Sequence, residues 1–253
     1  MTELLPGERL DHINESLSLI QKTDGLMFGT DAYLLAAYLR GRHTRVAELG
    51  SGTGVITLLA LTKGKAETAF AIEAQEDFAA LTSRNAEFNG LSHRMITLHA
   101  DVRNVNENDL GGRVDAVFSN PPYMRAASGR ENTVSEKNIA RREVLGDIFD
   151  FCACAARILK YGGTFYTVYR AERLCDLFEA LRKNGLEPKK LTMVHAHSGA
   201  EPSMVLVASR LGGNPSLTVT RPLLIYPTAA DRTYTDEMKM IYDTCSFEGL
   251  EGF

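Results

Sequence analysis

The feature that most constrains this chain is the alternation, from residue 44 onward, of short apolar runs with stretches of helical periodicity. The apolar runs occupy residues 45–49, 69–72, 95–98, 114–118, 164–168 and 204–208. Between several of them apolar residues recur at helical spacing, as in the stripe from Ile148 to Leu159. Such alternation is typical of βαβ units, in which helices cover both faces of a parallel sheet. The sequence therefore predicts an α/β fold with a doubly wound, mostly parallel sheet.

Three segments are predicted along the chain. Residues 1–43 form a leader, in which Leu17 and Leu19 alternate with serines as in a strand, and Thr30 is the expected N-cap of a buried helix over residues 31–39. Residues 44–212 form the core, and residues 213–253 form a C-terminal extension. The core is interrupted by a charged stretch, residues 124–146, and loops of that length within a compact domain are commonly functional.

Charge and cysteine content exclude some classes of protein. The 28 Lys and Arg against 32 Asp and Glu give a net charge of −4, which excludes a strongly basic nucleic-acid coat but not a local cationic face. The four cysteines form no CxxC pair, as expected for a reduced, cytoplasmic protein. Neither an export signal nor a membrane span is expected, and no metal site is predicted.

A glycine-rich loop follows the first core strand. Gly50, Gly52 and Gly54 alternate with Ser51 and Thr53, and glycines at these positions let the backbone turn tightly and approach a ligand. A dinucleotide fingerprint would place a further glycine at position 55, which is Val. The GxGxG form with Glu48 two residues ahead is instead similar to the loop of S-adenosylmethionine-dependent methyltransferases.

Acidic residues follow the next two strands. Glu73 ends the second core strand, where a carboxylate can accept both hydrogen bonds of a ribose diol, and Asp101 follows the third, where it could accept from an adenine amino group. Each acid taken alone could be a solvated strand end. Together with the loop they outline an adenosine-shaped crevice at the carboxyl edge of the sheet.

The fourth core strand is followed by Asn120-Pro121-Pro122-Tyr123. An amine conjugated to an aromatic ring, or an amide nitrogen, is a poor nucleophile because its lone pair is delocalised. The side-chain carbonyl of Asn120 and the main-chain carbonyl of Pro121 could accept its two N–H bonds, with the prolines holding both acceptors in place. Tyr123 would stack on the flat target group.

These motifs resemble those of the amino-group methyltransferases with an NPPY motif, within the class I fold with a Rossmann-like sheet of about seven strands. The resemblance is closer still to the bacterial tRNA (adenine-N6)-methyltransferases that modify the adenine beside the anticodon of a valine tRNA. It extends to residues 25–32, 140–143, 170–174 and 222–226.

The resemblance implies an enzyme that converts S-adenosylmethionine to S-adenosylhomocysteine. Its cofactor would be bound by Glu48, Gly50, Gly52, Gly54, Glu73, Asp101 and Asn120. The catalytic residues would be Asn120, Pro121, Pro122 and Tyr123, and the leader helix would close over the cofactor.

The predicted partner is tRNA. Arg125, Arg141 and Arg142 leave the sheet from the catalytic strand end and could pair with phosphates of a docked substrate. Three alternatives stay open: a protein glutamine methyltransferase acting on a release factor, another rRNA or DNA amino-methyltransferase, and a non-catalytic binding module. Glutamine methyltransferases normally carry a helical domain ahead of the fold, whereas only about 43 residues precede the first core strand here.

Overall fold

A computed structural model describes residues 3–23, 29–122 and 146–253. Its strands are β1 (Glu8–Asn14), β2 (Leu17–Lys22), β3 (His43–Leu49), β4 (Ala66–Glu73), β5 (Met95–His99), β6 (Val114–Ser119), β7 (Leu159–Arg170), β8 (Leu186–His195), β9 (Pro202–Leu211), β10 (Thr218–Val219) and β11 (Leu223–Leu224). Its α-helices are α1 (Thr30–Tyr38), α2 (Val55–Thr62), α3 (Glu76–Phe88), α4 (Ile148–Ile158), α5 (Leu174–Lys183) and α6 (Asp236–Thr244). None of these helices is long and apolar enough to cross a membrane.

The main sheet confirms the predicted α/β fold. Its strand order is β10-β8-β9-β7-β6-β3-β4-β5, and β11 also pairs with β8. Pairing is parallel except on the two sides of β9, which is antiparallel to β7 and to β8. The expectation of about seven strands matches the seven longer strands, β3 to β9, to which the structure adds the two-residue strands β10 and β11.

Apolar patterning explains how the helices cover this sheet. Helix α2 is buried all round from Val55 to Leu61, because α1 and β2 pack on the side that faces away from the sheet. Helix α4 on the opposite face is amphipathic and begins at a capping box, in which Asp147 accepts from the backbone of Phe149 and Asp150.

The leader forms a hairpin, β1 and β2, followed by α1. The prediction that Thr30 caps α1 is wrong: Gly29 is the N-cap, and Thr30 already lies within the helix. A Cβ on Gly29 would stand 2.7 Å from Oδ1 of Asp31, so the glycine makes room for that carboxylate. Oδ1 of Asp31 accepts from the Ala32 backbone N–H at 2.9 Å.

A buried lysine joins α1 to the core. Nζ of Lys65, just before β4, donates to the carbonyl oxygens of Ala36, Ala37 and Leu39 at 2.8 to 2.9 Å. These are among the carbonyls that a helix C-terminus leaves without an intrahelical donor. Burial lowers the pKa of Lys65 to about 8.

Candidate active site

Strand register brings four loops to one edge of the sheet. Leu49 at the end of β3 pairs with Ile72 of β4 and with Ser119 of β6, and Glu73 pairs with His99 of β5. Because parallel strands end on the same side, the glycine loop and the residues after β4, β5 and β6 meet at this carboxyl edge. Oγ of Ser119 donates to the Leu49 carbonyl at 2.7 Å, which ties the β3 and β6 ends together.

The three loop glycines share a left-handed backbone conformation but differ in the space around them. All three have positive φ: +72° at Gly50, +55° at Gly52 and +80° at Gly54. A Cβ on Gly50 would press against Phe151, at 3.3 Å, and one on Gly54 would stand 2.9 Å from both Thr82 and Met95. A Cβ on Gly52 would meet no atom within 4 Å. The open side of the loop therefore lies at Gly52.

Two polar residues of α3 donate hydrogen bonds to backbone carbonyls of the glycine loop. Oγ1 of Thr82 donates to the Gly52 carbonyl at 2.7 Å, and Nδ2 of Asn85 donates to the Thr53 carbonyl at 3.0 Å. Asn85, fully buried, also bonds the backbone of Ile20 in β2, so it joins the leader hairpin to the loop. Neither Thr82 nor Asn85 was predicted from the sequence, where the available signal was a pair of polar residues three apart in a helix.

The acids predicted at the next two strand ends are engaged differently. Glu73 is buried and accepts from the backbone N–H of Gly52 and of Gln75, each at 2.9 Å, which locks the loop to the end of β4. Asp101 lies beyond β5 and pairs with the guanidinium and backbone N–H of Arg103. The hydrogen bond from Arg103 holds the pKa of Asp101 below its usual value. Their roles toward a cofactor stay predictions.

Glu48 is buried beneath the loop. Its Oε2 accepts from the backbone N–H and from Oγ1 of Thr57, so the carboxyl holds the first turns of α2. Burial, reinforced by repulsion from Glu73, raises the pKa of Glu48 to about 8. Its predicted place among the cofactor ligands stays a prediction.

This raised pKa makes stability depend on pH in a testable way. Between about pH 4.5 and 8, folded Glu48 keeps a proton that the unfolded chain has released, so the free energy of unfolding falls as pH rises. We expect Glu48→Gln, which cannot titrate, to gain stability relative to the wild type across that window, by at most about 1.4 kcal/mol per pH unit. Urea denaturation at several pH values measures the difference, and a constant offset between the two proteins would contradict the assignment.

The tetrapeptide begins directly after β6. Asn120 is partly exposed at the edge, and Pro121 after it is buried. Oγ1 of Thr167 in β7 donates to the Ser119 carbonyl at 3.0 Å, so the chain that leads into Asn120 is held from both neighbouring strands. The backbone carbonyl of Pro121 and the side chain of Asn120 therefore lie next to a strand end that is hydrogen-bonded on both sides.

Asp31 of α1 is a functional candidate that sequence analysis missed. Its Oδ2 accepts from Nδ2 of Asn120 at 2.8 Å, across 89 positions of sequence. Because an ionised carboxylate only accepts hydrogen bonds, the amide nitrogen of Asn120 must face Asp31 and the carbonyl oxygen must face away from it. The signal available in the sequence was an acidic residue in the first turn of a helix that is otherwise apolar and buried.

Several predicted site residues lie outside the described residues. These are the aromatic member of the tetrapeptide and the three predicted phosphate-binding arginines, namely Tyr123, Arg125, Arg141 and Arg142. Their roles stay predictions. The structure brings together the other predicted residues, Glu48, the three loop glycines, Glu73, Asp101, Asn120, Pro121 and Pro122, at the carboxyl ends of β3, β4, β5 and β6.

Residues 24–183 match the model of the family described as methyltransferase small domain. The chain is also similar to two bacterial relatives, each named tRNA1(Val) (adenine(37)-N6)-methyltransferase. The protein of Phocaeicola vulgatus is 27% identical over 71% of this chain and 75% of its own length. The protein of a Flavobacteriaceae bacterium is 24% identical over 87% of this chain and 91% of its own length.

Solved structures share the fold. A predicted O-methyltransferase of Agrobacterium tumefaciens superposes with a TM-score of 0.69 at 23% identity, covering 86% of this chain and 97% of that one. The TYW2 protein of M. jannaschii, solved in complex with AdoMet, gives a TM-score of 0.55 at 16% identity, over 81% of this chain and 85% of that one. The predicted class I fold is confirmed.

Proposed function

The chain belongs to the methyltransferase small domain family, and from this we propose that it transfers a methyl group from S-adenosylmethionine to the exocyclic N6 amine of an adenine in tRNA. The observation that carries the proposal is the position of Asn120, oriented by Asp31, at the same sheet edge as the glycine loop and Glu73. The names of the bacterial relatives support adenine N6 as the acceptor and an anticodon-loop position in a valine tRNA.

The residues at this edge fit S-adenosylmethionine. The space beside Gly52 is where an added Cβ would meet nothing, and the Glu73 carboxylate adjoins it through the Gly52 N–H. Residues 48–54 contain no cation, in keeping with a cofactor that has no phosphate. Glu73 would hold the ribose hydroxyls and Asp101 the adenine amino group. When bound, this cofactor supplies an electrophilic methyl group.

Asn120 and Pro121 would hold the acceptor amine. Their carbonyl oxygens take the two N–H bonds and favour the positive charge that develops on the nitrogen. The negative charge of Asp31 on the other end of the Asn120 amide polarises its carbonyl and makes it a stronger acceptor. The proton can leave to water after transfer, so no side chain is needed as a general base.

A release-factor glutamine would present the same chemical problem to the same tetrapeptide. The names of the bacterial relatives favour RNA over this alternative.

The test is to incubate the protein with methyl-labelled cofactor and either total tRNA or release factors, and to identify the product by mass spectrometry. We expect N6-methyladenosine in tRNA and no methylglutamine. A methylated release factor with unmodified tRNA would favour the alternative, and intact cofactor binding with no methylated product in either pool would refute the proposal.

A further inference from the structure

Four tyrosines form a continuous column from α1 to the surface. Tyr33 of α1 packs on Tyr242 of α6 with ring centroids 4.7 Å apart, and Tyr242 contacts Tyr234 at 5.0 Å. Tyr234 and Tyr226 are stacked almost parallel, at 5.5 Å and 8°. The guanidinium of Arg232 lies over the Tyr226 ring, 5.5 Å from its centroid, and completes the column.

The inner and outer halves of the column differ in burial. Tyr33 is buried, and its hydroxyl donates to the Tyr242 backbone carbonyl at 2.7 Å, so this pair attaches α6 to α1. Tyr234 is 36% exposed, Tyr226 is partly exposed, and Arg232 is exposed. Core packing thus accounts for the inner pair but not for two stacked rings and a cation at the surface.

Strand directions place the column at the edge that carries Asn120. β6 is parallel to β7, β7 is antiparallel to β9, and β9 is antiparallel to β8, so β8 ends on the same edge as β6. Tyr226 lies two residues beyond β11, which runs parallel to β8. Its N–H donates to the Ala196 carbonyl just beyond the β8 end.

The inner end of the column adjoins the candidate active site. The hydroxyl of Tyr242 lies 3.5 Å from Oγ1 of Thr30, the residue before Asp31. Asp31 in turn bonds Asn120. The column therefore runs from the start of α1, beside the Asp31–Asn120 hydrogen bond, through α6 to the surface.

We infer that the outer part of this column, Tyr226, Tyr234 and Arg232, binds unpaired nucleotides that flank the target adenine. Unpaired bases stack on aromatic rings and on guanidinium planes, and a guanidinium also attracts phosphate. The carboxylate of the neighbouring Asp231 accepts from the backbone N–H and hydroxyl of Thr233, and the Arg232 guanidinium is the group that lies over the Tyr226 ring. The inference rests on the proposed function, because it assumes an RNA acceptor.

The test measures the Kd of a fluorescently labelled anticodon stem-loop RNA by anisotropy at several salt concentrations. We expect Tyr226→Ala and Tyr234→Ala to weaken binding about tenfold each. Tyr234→Phe keeps the ring and should stay within about twofold of wild type. Arg232→Gln should lower the slope of log Kd against log salt by about one.

Tyr161 provides a matched control. It is a tyrosine with 83% exposure near the start of β7, at the opposite edge of the sheet, and Tyr161→Ala should leave RNA binding unchanged. Melting temperature and cofactor Kd are measured for every variant. If an alanine variant loses its fold, the salt dependence of RNA binding by Arg232→Gln, at the exposed end of the column, tests the inference instead.

The outcomes separate this inference from the proposed function. If the column variants methylate tRNA as the wild type does and bind RNA with unchanged Kd, the inference that the column binds nucleotides is overturned. The proposed function then stays intact. If the wild type sediments as a dimer and the column variants sediment as monomers that still bind RNA, the column is an interface between two copies of the chain. That result would also overturn the inference. If the wild type methylates no RNA while it binds the cofactor, both fall together.

Discussion

Asn120→Ala is expected to lower kcat for methyl transfer by about 10²–10³-fold, the usual cost of removing one preorganised group that stabilises developing charge. Cofactor affinity should fall far less than turnover, because Asn120 is one of seven predicted cofactor contacts and the loop is held by Glu73, Thr82 and Asn85. Single-turnover methylation of tRNA and calorimetric titration of the cofactor measure the two quantities. Unchanged turnover would remove Asn120 from the mechanism.

Asp31 gives this experiment its internal comparison. If Asp31 acts by orienting Asn120, Asp31→Ala should lower kcat less than Asn120→Ala does, and the double variant should be no slower than Asn120→Ala alone. Gly29→Ala should cause a milder loss of the same kind, because its Cβ would meet Oδ1 of Asp31. Additive effects in the double variant would show that Asp31 acts independently of Asn120.

Gly52→Ala is expected to weaken cofactor binding by about 1–3 kcal/mol, roughly 5- to 150-fold in Kd, the usual cost of overpacking a well-fitted site. The added methyl would enter the space beside the loop, where the structure leaves room that the proposed cofactor would occupy. Isothermal titration with S-adenosylmethionine measures the change.

Gly90→Ala is the matched control for backbone strain. Gly90 follows α3, has a φ of +69°, and would also place its Cβ where no atom lies within 4 Å. Both substitutions therefore put alanine in the left-handed region, at a similar cost in folding free energy of about 1–2 kcal/mol. Equal melting temperatures with cofactor affinity lost only in Gly52→Ala would assign the effect to the site. Equal cofactor affinities in the two variants would contradict the assignment of the space beside Gly52 to the cofactor.

Local sequence pattern was enough to predict most of the core. The runs at residues 69–72 and 204–208 became β4 and β9, and the apolar stripe that starts at Ile148 became α4. Apolar periodicity has this power because a strand or helix must turn its apolar side chains toward the core. The two-residue strands β10 and β11 were not predicted, because a segment that short has no period to detect.

The cap of α1 was assigned wrongly for a related reason. Threonine is a frequent N-cap, so local preference selected Thr30. In the folded chain the choice depends on Asp31, whose carboxylate occupies the space beside Gly29 and reaches Asn120. A contact across 89 positions leaves no trace in local pattern.

The sequence by itself determined the α/β fold, the glycine loop and the tetrapeptide, because these follow from apolar periodicity and from residue types with narrow conformational or chemical ranges. Only the tertiary structure decided what each group does. It turned Glu48 toward Thr57, locked Glu73 onto Gly52, and placed Asp31 against Asn120. Hydrogen bonds between distant segments depend on strand order and register, which are set by the packing of the whole chain.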